Sequence, residues 1–480
     1  MKKYILLFAV MIVTASVAEA KVLELRDFLD QVRQNNESVK GAVSSSRGAS
    51  ERSAESNLIF APSFFAQGFS MDDKRDTIME AFLGDETKAG GAELGFSRVM
   101  RSGTAARLTY GIYDTRMFHA NTAAIPQPKF IDTSLQLELS QPLWQNSFGR
   151  QYRNMEKAGN AQAKASSYAK LYEAQIIMLD AEIKYIKLAG LRESVKIIET
   201  TLERTESILA FNKTKQQRGL TDISDVLQCE AAVKARKLDL ISALSEEKEA
   251  MQALNAARKF DSDTVEEDTP LPAAGDVIAA LSKEFPAASV RNDVRAAQSG
   301  TDALTAANEI SKEKTIPDLS LFAVPSVNSR KDFADDSVYS TFNSKHPYYE
   351  IGFKLSVPLD AQLNSKVKNG YLNESKGAEM SLSQKKYGQE REWRALLNKI
   401  KDARERLIAA MELEQAQLVK LEKERERQKQ GQSVMFQVFV FEQEYLASQL
   451  NLVTIKSTAL GLLAQAKLYE VYDAGNGGVQ

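Results

Sequence analysis

Polar and apolar positions along the chain follow two periods. Leu135, Leu137 and Leu139 alternate with Gln136, Glu138 and Ser140, and Ile351, Phe353, Leu355 and Val357 alternate with Glu350, Gly352, Lys354 and Ser356. A period of two predicts strands with one apolar and one polar face. Elsewhere the period is seven: Ala174, Ala181, Leu188, Val195, Leu202 and Leu209 recur at that spacing, as do Trp393, Ile400 and Leu407 and, past a break at Glu414, Leu421. Val226, Val233, Leu240 and Leu254 form a similar stripe after Gly219, broken at Glu247. A sustained seven-residue repeat predicts long helices packed along a coiled-coil seam. The stretch from Gly149 to Asn212 would make about 95 Å of helix if continuous. A return helix after Gly219 would turn it into a projecting hairpin.

The same order of elements occurs twice. Leu137-Glu138-Leu139-Ser140-Gln141-Pro142-Leu143 matches Phe353-Lys354-Leu355-Ser356-Val357-Pro358-Leu359, and each is followed by a long helical stretch and a glycine turn. The turns are Arg218-Gly219-Leu220-Thr221 and Gln430-Gly431-Gln432-Ser433. Upstream, each copy has a helix running into a proline-led strand, at Pro62 and at Pro317. The predicted organisation is a signal peptide at 1–20, a first repeat at 21–260, a proline- and acid-rich linker at 261–272, a second repeat at 273–473 and a short tail at 474–480. Pro62 and Pro142 are 80 residues apart but Pro317 and Pro358 only 41, so the first repeat carries 39 more (80 less 41). Within that excess, Glu93–Ser97 and Thr104–Tyr113 alternate around Arg101-Ser102-Gly103, which predicts a hairpin that either joins the sheet or sits outside it. The flanking stretches Asp72–Gly91 and Arg116–Thr133 read as surface loops.

The N-terminus is an address. Lys2 and Lys3 precede an apolar run from Tyr4 to Val13 and the triplet Ala18-Glu19-Ala20, the pattern of a secretory signal. No long uninterrupted apolar segment follows, so a membrane crossing would have to be made by alternating strands. In a soluble sandwich the same apolar face would meet a second sheet, and alternation alone does not choose. Trp144 and Tyr348-Tyr349, beside the strands, lean towards a barrel, because aromatic residues gather at membrane interfaces.

Composition then removes most chemistry. With 62 Lys+Arg against 64 Asp+Glu there is no basic excess for nucleic acid. Cys229 is the sole cysteine, and His119 and His346 are the only histidines, which leaves no disulfide within the chain and no histidine-rich metal site. No glycine motif for cradling phosphate is present, so neither a cofactor nor a catalytic constellation is expected. Acidic pairs such as Glu246-Glu247 and Glu266-Glu267 read as solvated charge.

Taken in order, the two repeats, the strands ending Ser140-Gln141-Pro142-Leu143 and Ser356-Val357-Pro358-Leu359, and the first turn leading into Asp222-Ile223-Ser224-Asp225-Val226-Leu227 and the Ala231-Ala232 and Ala235-Arg236 stretch resemble the TolC-type family of outer-membrane efflux and secretion proteins. The resemblance implies an α+β membrane protein: a long coiled-coil α-helical tunnel plus a transmembrane antiparallel β-barrel shared by a homotrimer, four strands from each protomer. It implies an outer-membrane channel, not an enzyme, working with a periplasmic adaptor and an inner-membrane transporter. Leu135, Leu137, Leu139, Ile351, Phe353 and Leu355 would then face outer-membrane lipid. Adaptor contacts fall by position on Arg218, Gly219 and Leu220 and on Gln430, Gly431 and Gln432; the same glycines also suit helix ends that need a left-handed residue. The family's gate falls on Asp225 and Asp222 in the first repeat. In the second, Gln428, Ser433 and Gln437, followed by Val438 to Phe441, depart from the usual Tyr, Arg and Asp, leaving Gln437 and Phe441 as constriction candidates. Asp225 equally suits the N-terminal dipole of its helix. The rival function is a secreted coiled-coil stalk or adhesin without a pore.

Overall fold

A computed structural model describes residues 22–76, 78–219, 221–343 and 345–470. The signal peptide, the end of the second repeat with the tail, and Leu220 of the first turn lie outside the described residues. In chain order the elements are helices α1 (Leu25–Asn35) and α2 (Glu37–Glu51), a 3-10 segment (Arg52–Phe60), strand β1 (Ser63–Asp73), the short helix α3 (Glu80–Leu83), strands β2 (Glu86–Val99), β3 (Ala105–Phe118) and β4 (Lys129–Pro142), helices α4 (Arg150–Gln217), α5 (Ile223–Arg258), α6 (Ala274–Leu281) and α7 (Asn292–Lys314), strand β5 (Asp318–Lys331), helix α8 (Ala334–Thr341), strand β6 (Pro347–Ser356), and helices α9 (Ala361–Lys429) and α10 (Met435–Ala466). The two long helices, α4 and α9, have 68 and 69 residues. Among the described residues no helix is long and apolar enough to cross a membrane.

The chain divides into two units, one of them built from residues 22–44, 170–291 and 388–470. This unit is helical, and the seven-residue stripes form its core. Ala174, Ala181, Leu188 and Val195 of α4 are buried. Ala181 and Leu188 pack with Phe28 and Val32 of α1 and Leu254 of α5. The Tyr185 hydroxyl donates to the Leu23 carbonyl at 2.6 Å, which ties the segment before α1 to this core. An analogous cluster gathers Trp393, Ile400 and Leu407 of α9 with Val277 and Leu281 of α6 and with Tyr469. Further along α4 the stripe shifts: Leu202 is half-buried, while Thr201 and Thr205 are 4% and 3% exposed. Their hydroxyls donate to the carbonyls of Ile197 and Thr201 at 2.8 and 2.7 Å, so neither is left unpaired inside.

The acidic break in the α5 stripe has a partner. Glu247 accepts from the Arg192 guanidinium at 3.1 Å, and the same guanidinium donates to the carbonyls of Val265 and Glu267, both at 2.5 Å. Arg258 reaches the Glu267 carboxylate at 3.1 Å. The stretch 261–272 is therefore strapped to the helices, with Val265 and Thr269 5% and 2% exposed. A buried arginine fork can hold a stretch that brings few apolar side chains of its own.

The second unit comprises residues 45–169 and 292–387. It holds one six-stranded sheet in the order β1-β2-β3-β4-β5-β6, every neighbouring pair antiparallel. The hairpin in the excess of the first repeat is β2–β3, and it lies within this sheet, between β1 and β4. Two expectations are thereby corrected. The described residues carry six strands where the family resemblance implied four, and Glu86–Gly91 and Lys129–Thr133, read as loop, are strand. Gly91, which fell in the predicted loop, and Gly95, in the predicted hairpin, both make room for aromatic rings. A Cβ on Gly91 would come within 2.6 Å of the Tyr113 ring, and one on Gly95 within 2.3 Å of the Phe65 ring. Rings lying over strand glycines replace the missing side-chain packing.

The helical core yields one direct prediction. Leu254 is fully buried, so Leu254→Ala should cost about 2–5 kcal/mol through lost transfer energy and a residual cavity. Denaturant unfolding followed by the helical circular-dichroism signal measures it, and a change below about 1 kcal/mol would contradict the packing described.

Candidate functional site

Directly opposed residues in an antiparallel pair point to the same side of a sheet, so the register assigns every strand residue to a face. One face carries Phe64 and Ala66 of β1, Leu94 and Phe96 of β2, Leu108, Tyr110 and Ile112 of β3, Leu135, Leu137 and Leu139 of β4, Leu321, Ala323 and Val327 of β5, and Ile351, Phe353 and Leu355 of β6. Apolar residues thus form one band across all six strands. Its outer members are open: Phe64 is 61%, Phe96 58%, Ile351 75% and Phe353 68% exposed. A contiguous apolar surface of this extent marks an interaction site. All six strand positions singled out from the sequence fall on this face. Those of β1, β2 and β3 were missed because Gly and Ala dilute the alternation there; the pair Leu94 and Phe96 was the available signal.

The opposite face is polar. Gln67 donates to Glu93, which also accepts from the Tyr113 hydroxyl at 2.5 Å. Arg107 lies 4.3 Å over the Phe65 ring. Asp132 takes two bonds of 2.8 Å from Arg330. This face carries six carboxylates (Asp73, Glu93, Asp132, Glu138, Asp318, Glu350) against three cations (Arg107, Arg330, Lys354).

The two ends of the sheet differ. At one end lie the tight β2–β3 turn and the junctions to α4, α7 and α9; at the other lie the β1–β2, β3–β4 and β5–β6 connections. Aromatic side chains flank the band at both. Trp144 and Phe148, 51% and 70% exposed, follow β4 at the helix end. At the loop end Tyr349 is 75% exposed, and α8 lies over the apolar face with Phe333, Tyr339 and Phe342 exposed beside it. A small hydroxyl cluster docks α8: Thr133 and the Ser337 hydroxyl are 2.8 Å apart, Ser337 donates to the Ser329 carbonyl at 3.0 Å, and Thr341 meets Thr133. The Phe342 ring stacks on Tyr110 with centroids 6.0 Å apart.

The helical unit contains both glycine turns. Gly219 and Gly431 have φ of +65° and +75°, with open space where a Cβ would project, so backbone conformation and not crowding calls for glycine. At the second turn the Gln432 amide donates to the Arg427 carbonyl at 2.9 Å, a six-to-one closure of the helix end. Arg218, Gly219, Gln430, Gly431 and Gln432 are exposed. Asp222 caps α5, accepting from the Ser224 amide at 3.2 Å. Asp225, half-buried, accepts from the Thr221 hydroxyl at 2.6 Å. Gln437 is half-buried in the first turn of α10. Phe441 packs against a core that joins both turns, made of Cys229, Leu421, Met435, Val438 and Tyr445, and Lys420 sits 3.9 Å over its ring.

Two buried carboxylates beside the second turn were not anticipated. Glu424, 6% exposed, accepts from Ser433 and from Arg427, and Glu442, 5% exposed, pairs with Arg425. In sequence Glu424 sits in the charged run from Glu422 to Arg427, which looks uniformly solvated, and Glu442 follows the apolar run from Val438 to Phe441. Only tertiary contact distinguishes the inward members. Among the described residues no group of His, Cys, Asp and Glu is placed to hold a metal ion.

No family model matches the chain, and no curated protein matches it in sequence. Solved structures do. The outer membrane protein VceC from Vibrio cholerae superposes with a TM-score of 0.63 at 15% identity, covering 92% of this chain and 95% of that one. CusC, described in terms of folding and transmembrane channel formation, gives 0.65 at 14% identity over 93% and 91%. The open state of the MtrE outer membrane channel from Neisseria gonorrhoeae gives 0.61 at 14% identity over 93% and 88%. The chain has the fold of outer-membrane channel proteins, the fold expected of the TolC-type resemblance.

Burial at the turns makes a chemical prediction. Burial, with Asp225 nearby, pushes the Cys229 thiol up to about 11, so it stays a protonated thiol at pH 8. Maleimide labelling at pH 8 should be at least about tenfold slower in the native protein than in denaturant; equal rates would show that the core between the turns is open.

Proposed function

We propose that the chain is the protomer of a homotrimeric outer-membrane channel, whose sheet lies in the lipid and whose helices enclose a periplasmic passage for small molecules or proteins. The observation that carries this reading is the apolar band crossing six strands, exposed in the single chain and flanked by aromatic residues at both ends. Lipid is the medium that such a band suits, and the polar face opposite would line water. The shared fold of outer-membrane channels supports the same reading. No catalytic step is assigned; flux follows energy supplied by an inner-membrane transporter. The exposed turns at Gly219 and Gly431 are the surfaces offered to a periplasmic adaptor. The constriction is assigned to the acidic start of α5, where Asp225 is held by Thr221. Three symmetry-related carboxylates near an axis favour cations.

Purified protein in detergent should have the mass of a trimer by light scattering corrected for detergent, and should give discrete conductance steps in a planar lipid bilayer. Asp225→Asn should reduce the preference for cations over anions several-fold without abolishing the steps. A water-soluble protein without conductance would overturn the reading in favour of a coiled-coil stalk. Unchanged selectivity would remove Asp225 from the constriction.

A further inference from the structure

Helix α8 is built the wrong way round for a helix that faces water. On a soluble surface a helix turns its apolar stripe to the protein and its polar side out. In α8 the buried positions are the polar Ser337 and Thr341, whereas Tyr339 is 76% exposed and the flanking Phe333 and Phe342 are open as well. Both inward hydroxyls are satisfied underneath: Ser337 donates to the Ser329 carbonyl at 3.0 Å, and Thr341 to the Ser337 carbonyl at 2.9 Å. Nothing polar from that side is left for solvent. An inverted helix of this kind suits an apolar medium above it.

The ground beneath α8 belongs to the apolar face of the sheet. Thr133 of β4 and Ser329 of β5 oppose each other directly, and the next pair along the same face is Leu135 with Val327. Thr133 and Ser329 therefore interrupt the band with a polar step, and α8 seals that step, since both residues are buried and Thr133 donates to the Ser337 carbonyl at 2.9 Å. Resting on the channel reading above, we infer that α8 is an interfacial lipid-binding element: it lies on the lipid side of the sheet and sets Phe333, Tyr339 and Phe342 at the boundary between acyl chains and phospholipid headgroups.

Height and charge fix the level. Leu135 to Leu139 rises only about 13 Å along β4, against an apolar band about 25 Å tall in outer-membrane barrels. A helix about 10 Å across, laid over Thr133, supplies most of the difference. Further out on the same face stand Lys331 opposite Ile131, and Lys129, Arg116 and Lys88 opposite one another on β4, β3 and β2. Charges mark the watery side of the boundary, where long cationic side chains keep their heads in water. Asp335 and Asp336, in the first turn of α8, are exposed too, which keeps that end of the helix among headgroups and water. Aromatic rings gather at this level of a bilayer. The β5–β6 connection is thereby committed to lipid and does not fold over the mouth of the passage.

Fluorescence quenching in phosphatidylcholine vesicles tests this. The full-length protein would carry Cys229→Ala with Phe333→Cys, Tyr339→Cys or Leu108→Cys, each labelled with a nitrobenzoxadiazole dye. Leu108 lies in the apolar run of β3, directly opposite Leu137, and reports on the sheet itself. The labels at positions 333 and 339 should be quenched at least about twofold more by lipid carrying a nitroxide near its headgroup than by lipid carrying one deep in its acyl chain, and only weakly by aqueous iodide. The label at position 108 should prefer the deep nitroxide. Strong quenching by iodide at 333 and 339, with 108 still answering to the deep nitroxide, would put the sheet in lipid and α8 in water; it would overturn the inference and leave the channel reading intact. Preference for the deep nitroxide at 333 and 339 would also overturn it, by placing α8 within the acyl core. Iodide quenching at 108 as well would remove the channel reading and the inference with it.

Discussion

Backbone hydrogen bonding is the constraint on which the rest depends. A sheet whose apolar face is turned outwards can live in lipid only if every amide and carbonyl is paired within protein. The six strands pair internally through five antiparallel neighbours. The same demand makes the outer edges the decisive places in the molecule. Glycine enters here as a packing device: at Gly91, Gly95 and Gly352 it lets Tyr113, Phe65 and Phe322 lie flat over the polar face. Aromatic bulk on the side that would face water is thereby held against the sheet.

The helical unit solves a different problem, that of keeping long helices in register without a thick core. Small residues such as Ala174, Ala181 and Ala250 allow close approach, and paired charges occupy positions that an uninterrupted seam would give to leucine. Arg192 with Glu247 is one such place; Lys456 is another, 6% exposed and bonded to both oxygens of Glu193 at 2.7 and 2.8 Å. Truncating one partner of such a pair leaves the other charge poorly solvated and unpaired. Near the turns the side chains change character again, with Glu424 and Glu442 buried beside exposed glutamines.

Much of this was legible in the chain because it rests on local periodicity. Leu135 to Leu139 and Ile351 to Leu355 alternate cleanly, and both turn glycines announce themselves because only a left-handed residue ends those helices without strain. The hairpin was visible, but its place was not: whether β2 and β3 join the sheet depends on pairing with Ser63–Asp73 and Lys129–Ser140, which no local pattern encodes. Glu86–Gly91 read as loop because the physical role of its glycines lies in rings brought from other strands. Helix α8 escaped notice for a similar reason, since Ser337 and Thr341 find Thr133 some two hundred residues away. Phe441, read from the sequence as a constriction candidate, packs against the core that joins the turns.

The measurement that bears most directly on the account is a spin-label accessibility scan from Glu93 to Ser97 of β2 and from Glu350 to Leu355 of β6, in protein reconstituted into lipid vesicles. The account predicts a period of two: labels at 94, 96, 351, 353 and 355 relaxed by oxygen dissolved in lipid, and labels at 93, 95, 97, 350, 352 and 354 relaxed by a water-soluble nickel chelate. Uniform accessibility to the chelate along both strands would contradict it.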